Sequence, residues 1–156
     1  MENKELFFLD LEETVIRSFD NPRLVNIEKV KKFLHNHGAT ELHIFSYAIH
    51  SEADRTIFNR DIKPRLEEIL ELPIVSCPTI PEVMKADYEL TGLFFSPTSE
   101  VTEYIYTRGK TYGFINYVNN KYNYTRAVLI DDTVADMTIT YRNLGAKIDF
   151  YNVGSL

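Results

Sequence analysis

Apolar residues fall along the chain in short runs and helical stripes that alternate with one another. Glu5–Leu9 (ELFFL) is a brief apolar run closed by Asp10, the pattern of a strand buried on both faces. Residues 27–37 carry Ile27, Val30, Phe33 and Leu34 on one helical face, with Asn26 as the candidate cap and Gly38 at the stop. The run 41–45 (ELHIF) predicts a second buried strand, ending at Ser46. Ser51 and Asp54 match a capping box and open another helix. Pro64 breaks or kinks that helix near Lys63 and suits the first turn of a second piece over 64–71. Residues 73–77 predict a third short strand, and the stretches 90–95 and 101–107 read as two more around a Ser-Pro-Thr-Ser turn. A helix over 111–120 and a strand over 127–130 follow, the latter running into Asp131 and Asp132. The pattern then predicts a helix with Val134, Met137, Tyr141 and Leu144 on one face, stopping at Gly145, and a last strand over 147–151.

Strands that take turns with helices imply right-handed crossovers, and hence an α/β fold with a mostly parallel central sheet. A chain of 156 residues fits one domain over 1–156, with room for a small insertion near 88–108. Hydrophobic residues at 44% and charged ones at 26% are those of a globular chain rather than a disordered one. A net charge of −6 argues against nonspecific coating of nucleic acid. No apolar run approaches the roughly 20 residues of a membrane helix, and the charged N-terminus does not read as a signal peptide. Cys77 is the single cysteine, so neither a disulfide framework nor a multi-cysteine zinc site is expected, and a reducing, cytoplasmic setting suits it.

Parallel sheets bind ligands at the carboxyl ends of their strands. Asp10 and Glu12 stand after the first strand, Ser46 after the second, and Asp131 and Asp132 after a later one. Residues far apart in sequence therefore converge. Two carboxylates two positions apart can divide nucleophilic attack on phosphorus from proton shuttling. With Asp131, Asp132 and Asp136 they make a hard, oxygen-rich set suited to magnesium. Ser46 can donate to a phosphoryl oxygen, and Lys110 can neutralise charge on the nucleophile and the transferring group. The histidines and the tyrosines at 112, 117, 122 and 124 show no motif and read as packing residues.

These motifs resemble the haloacid dehalogenase (HAD) superfamily of phosphotransferases. The first, an apolar strand and Asp-x-Asp-x-Thr, stands here as Phe7-Phe8-Leu9-Asp10-Leu11-Glu12-Glu13-Thr14. The second is Leu42-His43-Ile44-Phe45-Ser46. The third is Lys110, 21 residues before Asp131, which fits better than Lys85. The fourth is Val128-Leu129-Ile130-Asp131-Asp132 with Asp136. The resemblance implies a three-layer, Rossmann-like fold and a magnesium-dependent phosphomonoester hydrolase that works through an aspartyl-phosphate. Asp10 is then the nucleophile. Glu12 is the general acid/base and, through its carbonyl, a magnesium ligand. Ser46 and Lys110 bind the phosphoryl group, and Asp132 binds magnesium with Asp131 or Asp136 in support.

One position departs from the family, because its phosphatases carry Asp where this chain has Glu12. The extra methylene moves the carboxyl group by about 1.5 Å, and misplacement of that order costs about a hundredfold in rate. The expectation is a slow phosphatase. The alternative is a non-catalytic HAD-like module that binds a phosphorylated ligand or a protein. Residues 15–45 leave no room for a cap domain between the first two motifs. A capless or minimally capped member goes with large substrates, such as a phosphoprotein or a nucleic-acid end, or with closure by a second copy in a homo-oligomer.

Overall fold

The computed structural model describes residues 4–92 and 100–156. Six strands form one sheet in the order β3-β2-β1-β4-β6-β5. They are β1 (Glu5–Leu9), β2 (Leu42–Ile44), β3 (Ile74–Ser76), β4 (Arg126–Asp131), β5 (Met137–Tyr141) and β6 (Ala146–Asn152). All neighbours are parallel except β5, which runs antiparallel to β6.

The continuous apolar runs explain why the sheet is covered on both faces. Phe7, Leu9, Leu42, Ile44, Val128 and Ile130 pack with α1 (Ile27–Asn36) and α3 (Lys63–Leu70). The alternate residues Leu6, Phe8, Ala127 and Leu129, with Ile148 and Phe150 of β6, pack with α4 (Ile80–Thr91), α5 (Val101–Arg108) and α6 (Lys110–Lys121). Period-2 alternation along each strand thus feeds two cores rather than one core and a wet face.

Pro64 acts as its chemistry requires. Its ring crowds the carbonyl four residues earlier, and the chain between α2 (Glu52–Ile57) and α3 widens into a π turn over Phe58–Ile62. Ser51 caps α2 by accepting from the Asp54 N–H, and the Asp54 carboxylate accepts from the N–H of His50, one residue before the cap.

Three expectations need correction. Asn26 does not cap α1: it sits at φ 55, and its side-chain amide donates to the carbonyls of Glu13 and Thr14 instead. The stretch 101–107 is not a strand but lies in α5; of the strand expected over 90–95, residues 90 and 91 belong to α4, and 93–95, with the expected turn at 96–99, lie outside the described residues. The β-prone Val-Thr-Glu-Tyr-Ile-Tyr-Thr sequence is overridden by tertiary packing, since Tyr104 is fully buried and its hydroxyl donates to Asp87. The helix expected with Val134, Met137, Tyr141 and Leu144 on one face is strand β5 followed by a short 3-10 turn over Arg142–Leu144. There the Thr-Ile-Thr-Tyr alternation prevails over the coincident helical spacing.

Among the described residues no helix is long and apolar enough to cross a membrane.

Candidate active site

The carboxyl ends of β1, β2 and β4 and the first residue of α6 meet around a cleft of about 470 Å³. Asp10, Glu12, Ser46, Tyr47, Lys110 and Asp131 are among its walls. Asp10 leaves β1 with its N–H on the carbonyl of Ile130, so β1 and β4 hold it in step with Asp131. The chain then folds tightly on itself. The N–H groups of Thr14, Val15 and Ile16 all reach the carbonyl of Leu11, and Glu13 takes φ 62. A small hairpin follows, with Val25 donating to Val15 and Arg17 to Arg23.

Lys110 is the centre of the site. Its ammonium lies 3.0 Å from Asp10 Oδ1 and 2.8 Å from Asp131 Oδ2. It also sits 5.0 Å from the centroid of the Tyr47 ring and 5.6 Å from that of Phe45. A cation at a helix N-terminus opposes the macrodipole, so the carboxylates must hold it there. Gly109, at φ 77, lets the chain turn straight from α5 into α6. Lys85, the other candidate, is on α4 with its side chain largely in solvent, 4.0 Å from Glu89.

The helices that aim Lys110 are fixed by a buried acid that sequence reasoning passed over. Asp87 of α4 accepts from the Tyr104 hydroxyl, the Arg108 guanidinium and the Asn116 amide, tying α4, α5 and α6 together. The Tyr47 hydroxyl adds a bond to the Gly109 carbonyl at 2.9 Å.

Asp131 is fully buried and its Oδ1 accepts from both the N–H and the hydroxyl of Thr133. Its Oδ2 accepts no aligned hydrogen bond, and Lys110 is its ionic neighbour. Burial alone would raise this carboxyl; the Lys110 ammonium and the Thr133 donors outweigh it and hold Asp131 below the usual range. Asp10 goes the other way. Burial, with the Asp131 charge adding to it, pushes its carboxyl up to about 6 against the pull of Lys110.

Thr14, fully buried, joins the acids: its hydroxyl donates to Asp10 Oδ2 at 2.9 Å and lies 3.5 Å from Asp132 Oδ1. Carboxylate oxygens of Asp10, Asp131 and Asp132 lie within 4.8 Å of one another. Ligands opposite each other on an ion with bonds of about 2.1 Å are about 4.2 Å apart. Three acids against one ammonium leave uncompensated negative charge. This donor set fits a hard divalent cation.

Not every expected residue joins the cluster. Asp136 is exposed, and its Oδ1 accepts the N–H of Asn152 at the end of β6. Ser46 is buried beside the cleft and its hydroxyl accepts the Ala48 N–H. Glu12 lines the cleft, but its Oε2 accepts the Phe19 N–H of the hairpin at 2.8 Å. Thr133 and Tyr47 were not singled out from the sequence. The one available signal was the Asp-x-Thr spacing of Asp131 and Thr133, an Asx-type turn.

No protein-family model, no curated protein and no solved structure matches this chain.

Proposed function

We propose that this chain is a magnesium-dependent phosphomonoester hydrolase of HAD-like architecture, acting through an aspartyl-phosphate on Asp10. The observation that carries the reading is Lys110, one ammonium shared by Asp10 and Asp131 at the mouth of a cleft. The Asp10 carboxylate attacks phosphorus and the bond to the leaving alcohol breaks, with Glu12 supplying the proton. Water then attacks the acyl phosphate, Glu12 takes its proton, and inorganic phosphate leaves with Asp10 restored. Lys110 neutralises charge on the phosphoryl oxygens, and the Ser46 hydroxyl donates a hydrogen bond to one of them. Asp10, Asp131 and Asp132 would hold the magnesium ion, which supplies charge compensation for the phosphoryl group. The substrate classes that suit such a cleft are a phosphoprotein, a nucleotide or a polynucleotide end.

A second reading rests on Glu12. Its bond to the Phe19 N–H engages the group that must carry the proton, as suits a module that binds phosphate without turnover. A panel of phosphomonoesters assayed with magnesium and with EDTA tests both. Hydrolysis is expected with magnesium alone and is lost in Asp10→Asn. Magnesium should also raise the melting temperature of the native chain, and Asp132→Asn should remove that rise. A magnesium-dependent thermal shift without turnover of any substrate would favour the binding module.

A further inference from the structure

The two edges of the sheet are finished differently. At β3 the edge is short and partly occupied. That strand is three residues long, its register with β2 is irregular, the Ile74 N–H is taken by the Glu67 carboxylate and the Cys77 carbonyl by the Arg55 guanidinium. Among the described residues, strand β5 at the other edge has none of the devices that keep edges from pairing. Its five residues, Met137-Thr138-Ile139-Thr140-Tyr141, contain no charge, proline or glycine. They pair with β6 in unbroken register over all five positions. Met137 is 42% exposed although it shares a sheet face with the core residue Phe150, its partner on β6.

We propose that this edge pairs antiparallel with β5 of a second copy of the chain, about a two-fold axis at Ile139. The strand is self-complementary in that register. Ile139 faces its own copy, each Thr138 faces a Thr140, and each Met137 faces a Tyr141. Threonine–threonine and aromatic–aliphatic partners are favourable cross-strand pairs. Met137, Ile139 and Tyr141 alternate onto one face, so their apolar stripe continues across the axis. The flanking charges match as well: Asp136, just before β5, and Arg142, the first residue of the 3-10 turn after it, come to the same end of the paired strands, twice per dimer. Both residues are exposed, and Asp136 uses only Oδ1 for the Asn152 N–H. An isologous contact of this kind closes on itself. It joins two sheets of six strands into one. The short seam predicts a weak, concentration-dependent dimer. This assignment is independent of the hydrolase reading.

Sedimentation equilibrium of the full chain from about 5 μM to 1 mM is the test, since weak interfaces fall in that range. A monomer–dimer equilibrium is expected. Arg142→Glu sets two acids against each other and should weaken it by about tenfold or more; adding Asp136→Arg should restore it. In a Cys77→Ser background, oxidised mixtures of Thr138→Cys and Thr140→Cys should crosslink to each other. Thr138→Cys alone should not, because its two copies lie more than about 7 Å apart, beyond disulfide reach. A chain that stays monomeric at all concentrations, a dimer indifferent to Arg142→Glu, or equal crosslinking of Thr138→Cys alone would overturn the proposal.

Discussion

At Lys110 a single ammonium answers two carboxylates, while at Glu12 a carboxylate is shared between the cleft and the hairpin. The two residues were legible in the sequence to different depths. Strand ends and spacing brought Asp10, Lys110, Asp131 and Asp132 together because backbone topology alone decides where a strand ends. The bond from Phe19 to Glu12 was not legible, since it depends on a turn whose tightness comes from Glu13 at φ 62. That bond yields a prediction in two parts. Glu12→Gln keeps an acceptor for the Phe19 N–H but cannot move a proton, so it should abolish turnover while leaving the urea midpoint nearly unchanged. Glu12→Asp withdraws the carboxyl group from Phe19 and gives it the shorter reach of the family. On the hydrolase reading, turnover should rise by roughly tenfold or more if misplacement at this position limits it. A faster native enzyme than Glu12→Asp would mean that the longer side chain is tuned to its task.

Helix α6 carries Lys110 on its first residue, so anything that displaces the helix displaces the ammonium. Gly113 lies one turn in, and a Cβ there would come 2.0 Å from the Tyr47 hydroxyl and 3.2 Å from that of Tyr104. Alanine is the better helix former by about 1 kcal/mol, yet Gly113→Ala should destabilise the protein by about 1–3 kcal/mol through overpacking. It should also lower activity through Lys110. Tyr47→Phe removes the nearest obstructing oxygen together with its bond to the Gly109 carbonyl, so the double variant should recover part of both losses, a coupling that a double-mutant cycle in urea and in kcat would read. Elements were harder to read than strand ends. Both α5 and β5 were assigned the wrong type, for opposite reasons. In α5 the β-prone residues follow the demands of Tyr104 and Asp87. In β5 an alternating pattern coincided with a helical one.

Across the whole molecule the parallel order of the sheet was legible because its apolar runs are buried on both faces. The antiparallel edge was not, because it departs from that rule. The acid limb of stability follows from the groups that the fold discharges or pairs. Burial among Phe8, Ser76 and Tyr122 holds His43 below its ordinary 6.5. The unfolded chain therefore takes up a proton first, and the share of stability due to His43 is full above about pH 6.5 and lost as pH falls. Asp149 is held low by Thr138 and Arg126, whose bonds outweigh its burial, and its share disappears below about pH 4. Asp10, with its raised carboxyl, works in the opposite sense, so NMR titration of the His43 ring is the direct check; a midpoint at or above 6.5 would contradict this account.

Strand β1 pairs with β2 on one side and with β4 on the other, though β4 begins at Arg126. A ribosome adding about 5–20 residues each second makes β4 roughly 6–24 s after β1. For that interval the edge of Leu6-Phe7-Phe8-Leu9 has no partner on the β4 side. An unpaired apolar edge invites mispairing, and chaperone demand should fall once β4 seats. Asp10 and Asp131 come together in the same event, so the cleft gains its pair of carboxylates only when β4 seats, ahead of β5 and β6.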